Sequence, residues 1–332
     1  MELIRTVDVE EKRLKRNASI GLFFLSPITA ELLTGSTPPL IFFNPFVFII
    51  LTLFYGSAAV LFRELTVRWN KSFGALFLLG ASFGVLMEGI AVKSFFDLNW
   101  PDLGILGIYG RWLGVNWVWA VDLTIYHAIM SIVIPVALIE LLYPAIRKQI
   151  LLSQRWMYLL SSILALDVLF NAFVLTHYYF PPPLYYLAVV LFMFLLIYLA
   201  KKVPEKYDFH GTQHLPSTKK LWLIGALWAL LNWFIFFVIP YTGIFPLVTI
   251  VLGLALFIFL FRYLQKFDWS SEIHQLSILS GVLAFPIVLA FLQELFGLNP
   301  DGAFGMTAVG IGYIVFLLYL REKIGTRSKG HV

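Results

Sequence analysis

The stretch IFFNPFVFIILTLFYGSAAVLF occupies residues 41–62 and contains no charged side chain. A helix rises about 1.5 Å per residue, so this stretch is long enough to cross a hydrocarbon core of about 30 Å. Similar stretches recur along the chain, and we predict about ten spans, at residues 19–33, 41–62, 73–95, 117–140, 157–176, 184–200, 221–240, 245–261, 276–295 and 304–320. The predicted fold class is therefore an all-α polytopic integral membrane protein.

The composition excludes several classes of protein. The 332 residues are 60% hydrophobic and 13% charged, with a mean hydropathy of +0.85, whereas soluble domains carry about 25% charged residues. A secreted, cytosolic or disordered protein is therefore excluded, and we expect the lipid bilayer as partner. The net charge of +5 comes from residues near span ends, so we expect no nucleic acid partner. The chain has no cysteine, so we expect no redox cofactor held by thiols.

The basic residues predict the topology. All Lys and Arg residues except Lys93 and Arg111 lie before the first span, in every second connection, or after the last span. The positive-inside rule therefore predicts a multi-pass protein of the cell membrane with cytoplasmic N- and C-termini. We divide the chain into a cytoplasmic leader (1–18), a polar-cored half with spans one to five (19–180), an apolar half with spans six to ten (181–320) and a cytoplasmic tail (321–332).

Polar side chains within the spans are concentrated in the first half. A charged group at the bilayer centre costs about 2.5–3.5 kcal/mol on insertion scales, so each one requires a partner, water or a function. Glu88 lies about 22 Å along its span from Phe73, at a depth that Asp122 also reaches. We therefore predict one cavity in spans one to five, with a substrate or ion pathway formed by Glu31, Asp122, Ser131, Asp167 and Asn171.

Helical spacing separates some of these groups and leaves other interpretations open. Asp122 and His127 diverge by about 140° around their helix, so they need not share a partner. Glu64 has a structural alternative as an i,i+4 ion pair with Arg68, and Glu88 as a pair with Lys93 in the next turn. The glycine-rich, aromatic segment 97–117 is either a lid over the cavity or part of an interfacial aromatic belt.

Three segments together resemble one superfamily of intramembrane proteases. They are FRELTVR at 62–68, GASFGVLMEG at 80–89 and YHAIMSI at 126–132. In order and in helix placement they are similar to motifs of the superfamily that contains the PrsW-type proteases, the type II CAAX prenyl endopeptidases and the anterior-pharynx-defective subunit of γ-secretase. The resemblance covers about residues 61–135, and Arg63 stands where the family has its first glutamate.

The resemblance implies hydrolysis of a peptide bond in or near the membrane, in a membrane-embedded peptide or a prenylated substrate. Glu64 or Glu88 would be the general base, His127 its partner, and Arg68 would stabilise a carboxylate or developing charge. A divalent metal such as zinc is left open, and Glu88 and His127 would be its ligands.

Two other functions remain open beside this hydrolase. The intramembrane carboxylates could form the pathway of a proton- or cation-coupled transporter or channel. The chain could also be a catalytically inactive scaffold. The distance between the Glu88 carboxylate and the His127 ring separates these interpretations, because a base and its partner must share one water.

Overall fold

The computed structural model describes residues 2–204 and 211–329, and the last residues of the predicted tail lie outside it. The described residues are almost entirely helical, and the chain is an all-α polytopic membrane protein. Its long helices are α1 (Glu2–Pro27), α2 (Pro45–Arg68), α3 (Phe73–Ala91), α4 (Trp117–Leu142), α5 (Gln154–Leu175), α6 (Pro183–Lys202), α7 (Thr218–Thr242), α8 (Pro246–Leu264), α9 (Glu272–Phe296) and α10 (Met306–Lys329).

Within the described residues, the eight helices α2 to α9 are long and apolar enough to cross a membrane. The other two of the ten predicted spans lie in helices that do not meet this criterion. The apolar stretch 19–33 is short. Its first part continues the helix of the charged leader as α1, and the π turn Ile28–Leu32 follows. In α10 the charged residues 321–323 follow closely on the apolar stretch.

Local sequence signals set the helix boundaries. Pro45 occupies the first turn of α2, and the Asn44 side chain accepts a hydrogen bond from the backbone N–H of Phe46 at 3.0 Å. The Ser217 hydroxyl caps α7 in the same way, accepting from Lys220 N–H at 3.4 Å. These caps satisfy N–H groups that have no partner inside the helix.

π-helical turns interrupt several of these helices. They lie at Thr52–Gly56 in α2, Val85–Ala91 in α3, His127–Val133 in α4, Asn171–Leu175 in α5, Phe234–Val238 in α7, and Ile28–Leu32 directly after α1. Such turns are rare, and they occur frequently at functional sites. Five residues that the sequence singles out lie in them: Glu31, Glu88, His127, Ser131 and Asn171.

The first of two compact units consists of Met1–Lys71, Met130–Leu164 and Pro286–Val332. Here α1 packs against α2 around Gly56, where an added Cβ would lie 2.3 Å from the Phe23 carbonyl oxygen. Tyr55 and Ala58, on the same part of α2, are fully buried. Glycine at this position therefore allows two backbones to pack closely in the membrane.

The second unit consists of Ser72–Ile129 and Ala165–Phe285. Its core contains apolar side chains of α3, α4, α6, α7 and α8, including Val85, Val118, Met193, Phe236 and Ile250. The long connection between α3 and α4, residues 92–116, contains a 3-10 helix (Pro101–Gly107) and an antiparallel pair of two-residue strands, β1 (Arg111–Trp112) and β2 (Val115–Asn116). The predicted division of the chain into a polar-cored half (19–180) and an apolar half (181–320) stays a prediction.

Candidate functional site

Two glycines of α3 allow it to approach α4 in the second unit. A Cβ added at Gly80 would lie 2.8 Å from the Cα and the carbonyl oxygen of Ala128. One added at Gly84 would lie 3.0 Å from the Leu123 carbonyl oxygen and 3.2 Å from the His127 Cβ. This Gly-x-x-x-Gly spacing is typical of closely packed membrane helices. The close approach places the next residues of α3 beside His127.

Glu88 and His127 form a buried hydrogen-bonded pair. The distance from Glu88 Oε1 to His127 Nε2 is 3.0 Å, and the two residues are 7% and 2% exposed. A carboxylate has no hydrogen to donate, so Nε2 carries the proton whenever Glu88 is ionised. The structure brings these two candidate residues into direct contact, at a distance within the limit set for a base and its partner. The catalytic roles of Glu88 and His127 stay a prediction.

The structure adds Ser94 and Trp119 to this pair. The Ser94 hydroxyl donates to Glu88 Oε2, and the Trp119 indole donates to Ser94 Oγ at 2.9 Å. Ser94 is fully buried and Trp119 is 6% exposed. Sequence reasoning missed both residues, because a serine after a span and a tryptophan at a span end are unremarkable in a membrane protein. The nearest signal was the spacing of six residues between Glu88 and Ser94, which is meaningful only once a sharp turn is known to follow α3.

Lys93 forms that turn, and it does not pair with Glu88 as one alternative proposed. Its backbone has a φ of 64°, in the left-handed region, and its side chain is fully buried. The ammonium donates to the carbonyl oxygens of Ala172 and Thr176, both at 2.7 Å, and lies 4.0 Å from the Phe180 ring centroid. Burial lowers the pKa of Lys93 to about 8, with the Asp97 carboxylate opposing the change.

Glu64 and Arg68 belong to the first unit, where they form the i,i+4 ion pair that the structural alternative predicted. Arg68 Nε lies 2.8 Å from Glu64 Oε1, and the Leu151 N–H donates to Glu64 Oε2 at 2.9 Å. Arg68 also donates to the Leu152 carbonyl oxygen at 2.6 Å. Both side chains therefore hold the backbone of the connection between α4 and α5. The expected catalytic roles of Glu64 and Arg68 have no support in these contacts.

Arg63 completes this arrangement, which we call the arginine clamp: Arg63, Glu64, Arg68 and Glu140. Arg63 is 2% exposed and donates to the carbonyl oxygens of Ile146, Arg147 and Gln149 at 2.6–2.9 Å. Its Nε lies 3.3 Å from Glu140 Oε1, so Glu140 has a protein partner. Arg63 is thus a structural cation that holds the connection between α4 and α5.

The remaining predicted pathway residues have separate partners. In the first unit, Glu31 accepts hydrogen bonds from Tyr55 and from Thr37, the latter at 2.7 Å, and the Ser131 carbonyl oxygen accepts from Ser26 at 2.6 Å. These contacts include no permanent cation. Each hydroxyl donates one hydrogen bond to a buried oxygen.

In the second unit, Asn232 donates to Asp122 at 3.4 Å, and Asn171 donates to Asp167 at 2.8 Å. Asp122 and His127 therefore have different partners, as their helical spacing predicted. Among the described residues, Asp167 Oδ2 and Asn232 Oδ1 are buried without a hydrogen-bond partner. The sequence singled out Asp122, Asp167 and Asn171 as pathway residues, whereas Asn232 was not identified.

A metal-binding group of three or more His, Asp or Glu residues is absent from the described part of the chain. Glu88 and His127 would supply two ligands, whereas catalytic zinc sites use three protein ligands and a water. An open cavity of about 520 Å³ lies in the second unit beside Tyr109, Trp112 and Phe245. Neither Glu88 nor His127 lines this cavity.

The comparisons with known proteins give one match. The model of a family described as an uncharacterized membrane protein family matches residues 22–320. Because the match covers most of the chain, the chain belongs to this family. No curated protein matches the chain, and no solved structure matches it.

Proposed function

We propose that this family member is an intramembrane hydrolase, a peptidase with Glu88 as general base and His127 as its partner. The observation that carries the proposal is the 3.0 Å hydrogen bond between the side chains of Glu88 and His127, both buried within apolar membrane helices. An isolated intramembrane carboxylate is a functional candidate by default, and a hydrogen-bonded imidazole is a common partner in acid–base catalysis.

The geometry supports a single-base mechanism. A carboxylate has about four lone-pair positions, of which His127 and Ser94 use two, so a water can bind at another. Glu88 removes a proton from this water as its oxygen attacks the carbonyl carbon of the peptide bond. The C–N bond then breaks, and the proton passes from Glu88 to the leaving nitrogen. His127 orients the base and stabilises its ionised form.

Substrate and topology follow as further parts of the proposal. The substrate class is a membrane-embedded peptide or a prenylated peptide, because the base lies within a membrane helix. Both termini are placed in the cytoplasm and the protein in the cell membrane, because the basic residues alternate between connections. Glu64 and Arg68 receive no catalytic step.

The test is hydrolysis by the full chain in lipid nanodiscs. The probes are synthetic apolar helical peptides, one of them prenylated, each carrying a fluorophore and a quencher. We expect Glu88→Gln to reduce the rate by about 10²–10⁴-fold, since the amide cannot accept the proton. Glu294→Gln is the matched control, because Glu294 also lies in a membrane helix but only accepts the N–H groups of Gly305 and Thr307. Cleavage by Glu88→Gln at the wild-type rate, or no cleavage of any probe, contradicts the proposal.

One observation favours a second candidate, a proton- or cation-coupled carrier. Asp167 Oδ2 is buried without a hydrogen-bond partner among the described residues, and Asn232 Oδ1 beside Asp122 is in the same situation. A proton or a cation would satisfy such oxygens. Absence of hydrolysis together with proton uptake into vesicles that depends on Asp167 would favour this carrier.

A further inference from the structure

The connection between α3 and α4 folds back onto the end of α3. Asn116 is fully buried; its N–H donates to the Phe95 carbonyl oxygen at 2.8 Å and its Nδ2 to the Ser94 carbonyl oxygen at 3.3 Å. Arg111 donates to Asn116 Oδ1 at 2.7 Å and to the Phe96 carbonyl oxygen at 2.8 Å. The strand pair β1–β2 is therefore attached to residues 94–96. The segment for which the sequence left a lid or an aromatic belt open acts as a brace at this point.

Ser94 is fixed from three directions. The left-handed Lys93 turns the chain back after α3, Asn116 holds the Ser94 carbonyl group, and Trp119 donates to the Ser94 hydroxyl oxygen. A left-handed backbone at a residue other than glycine is uncommon and persists only where the surroundings enforce it. Here the buried contacts of the Lys93 ammonium enforce it. The position of the Ser94 hydroxyl is thus determined by the fold.

The Ser94 hydroxyl and the His127 ring bind opposite oxygens of one carboxylate. The terminal torsion of a glutamate side chain is broad, so its rotamer alone does not fix the plane of the carboxylate. A donor on each oxygen does fix it. Loss of either donor would let the carboxylate rotate and leave one oxygen free.

We propose that Ser94 is a positioning residue that fixes the orientation of the Glu88 carboxylate toward His127. Trp119 and the β1–β2 brace in turn hold Ser94. The catalytic meaning of this role rests on the proposed hydrolase function. The positioning itself does not, so it can be tested without a substrate.

The test is the rate at which dicyclohexylcarbodiimide modifies Glu88 in the full chain in nanodiscs, measured by peptide mass spectrometry. This apolar reagent takes the carboxyl proton on one nitrogen while a free carboxyl oxygen attacks its central carbon, and the resulting O-acylisourea rearranges to a stable N-acylurea. In Ser94→Ala, Glu88 Oε2 loses its donor, and we expect modification about 3–10-fold faster than in the wild type, as for loss of one hydrogen bond. Ser94→Thr retains the hydroxyl and is expected to restore the wild-type rate. Trp119→Phe is expected to give a smaller increase.

Two references separate positioning from a general loosening of the fold. Asp122 in the same molecule reports any overall change in access, because its carboxylate accepts a hydrogen bond from Asn232 rather than from Ser94. Ser82→Ala is the matched control, since Ser82 is also a buried serine of the second unit but its hydroxyl donates to the Leu79 carbonyl oxygen of its own helix. Equal Glu88 rates in Ser94→Ala and Ser82→Ala, or equal acceleration at Glu88 and Asp122, would overturn the proposal.

The peptide assay then distinguishes the two proposals. If Glu88→Gln abolishes hydrolysis, we expect Ser94→Ala to lower kcat more than it changes KM, because the base is misaligned while the substrate still binds. If no variant or wild-type chain hydrolyses the probes, the hydrolase function is wrong, and the labelling result still decides the role of Ser94.

Discussion

The arginine clamp of the first unit and the Glu88–His127 pair of the second unit both contain a buried glutamate, but their partners differ. Glu64 is fully buried and lies within 4 Å of two arginines, Arg63 and Arg68. Glu88 instead contacts the imidazole ring of His127 and the neutral hydroxyl of Ser94. A guanidinium keeps its proton at any accessible pH, so the clamp is permanently charge-paired. Among the described residues, the contacts of Glu88 include no guanidinium, and a carboxylate beside an imidazole is the arrangement that the proposed acid–base chemistry requires.

The strongest test of this comparison is removal of the clamp cation. Arg63→Met leaves three backbone carbonyl oxygens and Glu140 without their donor, and we expect a loss of about 3–5 kcal/mol in the free energy of unfolding. Reversible unfolding in detergent measures this loss. We expect the folded fraction to retain hydrolysis, in contrast to Glu88→Gln.

Arg147→Met is the matched control for this loss. Arg147 is 32% exposed and lies 3.9 Å from Glu140, so its removal should cost about 1 kcal/mol or less. If both arginine variants unfold alike, the clamp is not the structural element that its contacts indicate.

Sequence reasoning could estimate depth and direction within the spans because these features of the chain are local. It named Glu88 and His127 together through the resemblance and did not predict their contact. The apolar lengths give the depth of each residue, and the spacing of Asp122 and His127 gives their divergence. The pairing of Glu64 with Arg68 is local in the same sense, and it was predicted as one alternative. These inferences depend only on the rise and rotation of a helix.

The remaining parts of both sites depend on where the chain turns between helices. Ser94 reaches Glu88 only because Lys93 adopts a left-handed backbone, and Arg63 reaches its carbonyl oxygens only because the connection after α4 folds back. The π turns at Glu88 and His127 also change the direction of side chains relative to a regular helix. No single-sequence periodicity encodes these features, so the roles of Ser94 and Arg63 could not be predicted.

A smaller effect tests how close packing supports the Glu88–His127 pair. Gly80→Ala places a Cβ 2.8 Å from backbone atoms of Ala128, which cannot move aside as a flexible side chain would. We expect a loss of about 1–3 kcal/mol in the free energy of unfolding, together with a slower hydrolysis rate, because α3 must move away from α4.

The control is a glycine in open space. An added Cβ at Gly312 of α10 meets nothing within 4 Å, so Gly312→Ala should be neutral or stabilise by up to about 1 kcal/mol. The same chemical change therefore has opposite expected signs at the two positions. A loss of stability in Gly312→Ala equal to that in Gly80→Ala would show that backbone contact is not the cause.

The smallest expected effect compares the buried cations of the two regions. Arg63 remains charged, but the pKa of Lys93 is lowered by burial to about 8 from its ordinary 10.5. Between these values the unfolded chain binds more protons than the folded chain, so stability rises with pH. We expect the free energy of unfolding to rise by roughly 1 kcal/mol more in the wild type than in Lys93→Met between pH 8.5 and 9.5. Parallel pH profiles of the two chains would mean that Lys93 titrates normally, and that its turn, like the arginine clamp, holds a permanent charge.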